Sequence, residues 1–115
     1  MKVPILKQGD TLIASIQSDP TDAELHQMQH ELSVKVGELR ARGVILDVSL
    51  LDVIDSFAAR TLGTVAASLK LRGAVTVLVG IQPEVAFAMV QLGVNLANVH
   101  TALDLEEGLE LLRGR

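Results

Sequence analysis

The sequence predicts an α/β domain in which helices pack on a central, largely parallel sheet, and three observations carry that prediction. Short aliphatic runs, Val44–Val48 and Val75–Val79, have the length and character of strands buried on both faces. Between them lie stretches with apolar residues at steps of three and four, the pattern of amphipathic helices. The hydrophobic share is 49%, yet the chain holds two Phe and no Trp or Tyr, so its core must be aliphatic. A length of 115 residues suits one domain, residues 1–115, able to bury a core without staples.

Taken in order, Val3–Leu6 and Thr11–Ile16 flank Gly9-Asp10 and predict an antiparallel hairpin. Asp19-Pro20 breaks the chain before a long helix, whose start is marked by Thr21 and Glu24 at capping-box spacing. Leu25, Met28, Leu32, Val36 and Leu39 define its apolar face, and Gly43 is the expected stop. The strand Val44–Val48 follows. After the loop Ser49–Asp55, a second helix is predicted from Ser56 to Leu71, stopped by Gly73. Val75–Val79 is the next strand, ended by Gly80. Pro83 sits where a first helical residue belongs, and Gly93 closes that third helix. Asn98–His100 is expected to form a short last strand, before Asp104 caps a final helix with Glu107 at the box position. The order β-β-α-β-α-β-α-β-α implies right-handed crossovers. In such sheets the loops at the carboxyl ends of strands carry function, which directs attention to Ser49–Ser56 and Gly80–Pro83.

Composition narrows the chemistry. With no Cys, disulfides, thiolate metal sites and thiol nucleophiles are excluded. A net charge of −4 argues against nucleic acid. The basic pairs Lys70/Arg72 and Arg40/Arg42 sit near helix C-termini, where the dipole favours cations. No basic apolar leader and no apolar run near 18 residues is present, so a soluble cytoplasmic protein without a membrane partner is expected.

Ser56 draws the most interest. As a helix N-cap, its oxygen would accept the N–H of Ala58 or Ala59, worth about 1 kcal/mol. The same position suits phosphorylation, which adds a charge of about −1.5 to −2 beside Asp52 and Asp55. Residue chemistry alone favours the cap. A nucleophile would need a base such as His within reach, and neither His26, His30 nor His100 has that spacing; G-x-S-x-G is absent. His26 and His30 share a helix face, but Gln27 stands where H-E-x-x-H needs its Glu, so a solvated face is the better reading. Asp47, Asp52 and Asp55 could gather around Mg²⁺, yet no phosphate-cradling G-x-x-x-x-G-K-[ST] accompanies them. No metal or cofactor is called for.

Several segments then carry a resemblance. Val44-Ile45-Leu46-Asp47-Val48, Asp52-Val53-Ile54-Asp55-Ser56 and Thr61-Leu62-Gly63 resemble the phosphorylation segment of STAS domains, the anti-sigma factor antagonists and their relatives. Many members read D-S-S-G or D-S-T-G, where this chain reads Asp55-Ser56-Phe57-Ala58. With Pro4-Ile5-Leu6, Gly80-Ile81-Gln82-Pro83 and Thr101-Ala102-Leu103-Asp104-Leu105-Glu106, that departure is similar to the RsbS-like branch, the single-domain scaffolds of the bacterial stressosome. The resemblance implies a SpoIIAA-like fold, a mostly parallel sheet with an N-terminal hairpin and about four helices. It implies a non-enzymatic regulator that assembles with an RsbR-like co-antagonist and holds an RsbT-like serine/threonine kinase. Ser56 is then the phosphorylated serine, and Asp52, Asp55, Phe57 and Arg60 are the expected partner contacts. Two other readings stay open: an antagonist that binds an anti-sigma kinase as a small soluble complex, and a ligand-binding domain using the acidic loop.

Overall fold

A computed structural model describes residues 2–114. Strands β1 (Ile5–Gln8) and β2 (Thr11–Ser15) form the N-terminal hairpin, turning at Gly9 with φ 62°. Helix α1 (Asp22–Leu39), strand β3 (Gly43–Asp47), helix α2 (Ser56–Leu71) and strand β4 (Val75–Val79) follow. Helix α3 (Pro83–Gln91), strand β5 (Val99–Ala102) and helix α4 (Leu105–Arg113) complete the order. The five strands make one sheet in the order β1-β2-β3-β4-β5, antiparallel at β1–β2 and parallel thereafter. This is the predicted α/β architecture.

Topology decides which face each helix covers. Every parallel crossover steps to the next strand in the same direction, so right-handedness sends α1, α2 and α3 to one face. Only α4, after the last strand, folds back over the other. The strands sort their side chains accordingly, because alternate residues point to opposite faces. Leu12, Ala14, Val44, Leu46 and Leu78 enter the large core beneath α1–α3. Ile13, Ile45, Val77 and Val79 form a smaller core with Leu105, Leu109 and Leu112 of α4. Gly108 lets α4 lie close to the sheet, since a Cβ there would stand 2.7 Å from Val79 Cγ1.

Several local readings change, while others hold. The predicted capping box of α1 is present, with Thr21 Oγ1 accepting the Glu24 N–H at 3.1 Å and Glu24 Oε1 accepting the Thr21 N–H at 2.8 Å. Gly43, however, does not stop α1. Arg40 does, in the left-handed region at φ 52°, while Gly43 is the first residue of β3 and makes room for Leu112. Leu39 therefore falls in the last turn beside that cap and is 40% exposed, outside the buried stripe. The last strand begins later than expected, at Val99, because its register is set by pairing with Thr76–Val79. Asp104 caps α4 as predicted, but Glu107 Oε1 accepts the N–H of Leu103 rather than completing a box on Asp104.

Candidate functional site

The start of α2 lies just past the carboxyl end of β3, in the centre of the sheet. Its N-cap is Asp55, in extended conformation (φ −95°, ψ 174°), with Oδ1 accepting the Ala58 N–H at 2.8 Å. Ser56 is the first helical residue, so the expectation that Ser56 caps α2 is corrected. The reason is geometric: a cap needs non-helical backbone, and the chain turns helical one residue too early for Ser56. Its side chain is exposed and makes no hydrogen bond among the described residues.

Two loops meet beside it. The carbonyl of Ser49 accepts the Gln82 side-chain N–H at 2.8 Å, tying the β3–α2 loop to the first turn of α3. Gly80, at φ 76°, permits this approach, because a Cβ there would come within 2.8 Å of Ser49 Cβ. The two loops to which the sequence directed attention, Ser49–Ser56 and Gly80–Pro83, thus form one surface. Asp47 Oδ1 accepts the Ser49 N–H at 3.0 Å and fixes the exit from β3.

The predicted site residues distribute around α2. Asp52, Asp55, Ser56 and Arg60 are exposed. Phe57 is half-buried: it packs against the large core and lines a shallow groove between α1 and α2 with His26 and Arg60. A full turn on, Thr61 is buried with its hydroxyl donating to Phe57 O at 2.8 Å, which anchors that turn. Asp47, Asp52 and Asp55 do not gather, since Asp47 and Asp55 are each spent on a backbone N–H. No group of three or more potential metal ligands occurs among the described residues. His26 and His30 are exposed on α1.

Sequence reasoning missed the apolar part of this surface. Leu50 and Val53 of the loop are 56% and 68% exposed, and Phe87 and Val90 of α3 are 65% and 80% exposed. Pro83, Phe87 and Val90 recur at i, i+4 and i+7, so they form one stripe beside the loop that Gln82 holds. Val85 and Met89 alone form the buried face of α3, and because its apolar residues occupy both faces, no signal in the sequence told which would be covered. Exposed apolar residues set among Asp52, Asp55 and Glu84 suit a protein partner.

A five-stranded sheet with three helices on one face and one on the other, presenting an exposed serine at the head of α2, defines a class. The family model of the STAS domain matches residues 2–108, and the chain belongs to that family. Over nearly its whole length it is similar to RsbS. A serine-to-glutamate variant of Moorella thermoacetica RsbS is 33% identical, superposes with a TM-score of 0.87, and covers 99% of this chain and 97% of its own. A chain of the stressosome, described as a signal integration and transduction hub, is also 33% identical with a TM-score of 0.81, covering 96% of each chain. Unphosphorylated SpoIIAA shares the fold, with a TM-score of 0.73 at 15% identity over 98% of this chain and 99% of its own. Among curated proteins, the RsbT co-antagonist protein RsbRA of Bacillus subtilis (strain 168) is 32% identical over 71 residues, 62% of this chain. That match covers 26% of RsbRA, so the chain spans about a quarter of the length of the relative. No helix among the described residues is long and apolar enough to cross a membrane.

Proposed function

We propose that this chain is a non-enzymatic, RsbS-like scaffold that acts in the cytoplasm as a negative regulator in a stressosome-type assembly. It holds an RsbT-like switch kinase alongside an RsbR-like co-antagonist and releases the kinase when Ser56 is phosphorylated. The observation that carries the reading is the Ser56 hydroxyl, exposed and unbonded at the head of α2 while Asp55 does the capping. Likeness to RsbS over nearly the full chain supports the scaffold role. The partners are supported by the stressosome chain and by a relative named as an RsbT co-antagonist.

The switch works through charge and packing. The docking face joins the exposed apolar residues Leu50, Val53 and Phe87 to the exposed polar residues Asp52, Asp55 and Arg60. On modification the γ-phosphoryl of ATP moves to Ser56 Oγ: a P–O bond forms there, the bond to ADP breaks, and the hydroxyl proton is lost. The new group brings a charge of about −1.5 to −2 to a rim already acidic. A partner seated there meets repulsion and loses close packing. Because α2 is capped by Asp55, the fold survives the change. Incubation with an RsbT-like kinase and ATP, followed by mass-spectrometric mapping, tests the assignment. Phosphate should appear on Ser56 and vanish in Ser56→Ala; phosphate elsewhere would overturn it.

A further inference from the structure

On one side of Ser56, α2 borders an open groove of about 390 Å³ closed by segment 92–98. Ser56, Arg60, Thr64, Asn95 and Asn98 supply its polar groups, and no carboxylate lines it. Arg60 is exposed and makes no ion pair or hydrogen bond among the described residues. Ser56 and Arg60 are four apart on one helix, so their side chains are neighbours across a single turn. Asp52 and Asp55 do not border this groove, and Asp55 already occupies the Ala58 N–H at 2.8 Å. A phosphate on Ser56 would meet like charge toward Asp55 and an unpaired guanidinium toward the groove.

We propose that Arg60 is the intramolecular receptor of a phosphate on Ser56. The phosphoserine turns away from Asp55 and lies along α2 against the guanidinium, whose planar donor fork matches phosphate oxygens. The inference rests on the reading of Ser56 as the modified residue and extends it to regulation. Modification then does two things to the docking face: it adds an anion and withdraws the Arg60 cation from any partner. Release becomes competition for one guanidinium as well as repulsion.

The test separates this claim from the choice of phosphosite. Phosphoserine is installed at position 56 of the full chain during translation, without a kinase, and its second ionisation is followed by phosphorus NMR across pH. Arg60 favours the dianion, so the midpoint should lie lower in the parent chain than in Arg60→Gln by roughly half a pH unit. Arg60→Lys should keep part of that depression, and added salt should shrink it. Equal midpoints in the parent and Arg60→Gln would overturn the proposal. Because Arg60 is exposed, thermal melts of the variants should match the parent and show that folding is not the cause. A wrong phosphosite would show instead as a kinase that leaves Ser56 unmodified, a result this titration does not depend on.

Discussion

Asp55 accepts the Ala58 N–H at 2.8 Å and holds the start of α2, leaving the neighbouring hydroxyl of Ser56 exposed to solvent. Capping thus falls on Asp55 and not on the adjacent Ser56, although either side chain could have served. The assignment has a thermodynamic consequence. Asp55→Ala should lower stability by about 1 kcal/mol, the usual value of a lost N-cap, whereas Ser56→Ala should stay within about 0.5 kcal/mol of the parent. Urea denaturation of both variants checks this, and equal losses would show that Ser56 shares the cap.

Gly80 lets the β3–α2 loop meet the turn that leads into α3. Its φ of 76° disfavours any residue with a Cβ, and Ser49 Cβ would stand 2.8 Å from that atom. Gly80→Ala should cost about 1–2 kcal/mol for the backbone conformation alone. Faster amide hydrogen exchange in the Ser49–Asp55 loop should accompany the loss, since the contact with Ser49 would be pushed apart.

Thr76 is the second residue of β4, 1% exposed, with a hydroxyl that has no hydrogen-bond partner among the described residues. A buried unpaired polar group destabilises a core, and valine has nearly the same shape. Thr76→Val should therefore raise stability by about 1 kcal/mol, read as a higher urea midpoint at unchanged slope. A lower midpoint would mean that the hydroxyl is satisfied.

The apolar part of the docking face can be tested apart from Ser56. Val53→Asp and Phe87→Asp alter residues that are 68% and 65% exposed, so melting temperatures should barely move. Affinity for an RsbT-like kinase should fall at least about tenfold, the scale of one lost interface anchor. Undiminished binding by both variants would place the kinase on another face.

The element order was legible because aliphatic runs and helical spacing are properties of contiguous residues. Val75–Val79 and Ser56–Leu71 were found with their observed bounds, and Thr21, Pro83 and Asp104 marked true helix starts. What the sequence obscured depends on neighbours distant along the chain. Gly43 looks like a helix stop but serves the packing of Leu112, and β5 takes its bounds from β4. At the site, Asp55 and Ser56 are both good capping residues, so composition could not choose between them. The choice turns on where the backbone first becomes helical. The exposure of Phe87 and Val90 likewise emerged only once α3 was laid on the sheet.

The central claim is that phosphate on Ser56 releases the kinase. Its most direct test is the equilibrium affinity of an RsbT-like kinase for the unmodified chain and for the same chain carrying phosphoserine at position 56. The account predicts tight binding to the unmodified protein and to Ser56→Ala, with at least about tenfold weaker binding to the phosphorylated form, a difference of about 1.4 kcal/mol. Ser56→Asp should fall between, because it carries less charge than a phosphate. Equal affinity of the kinase for the modified and unmodified chains would contradict the account.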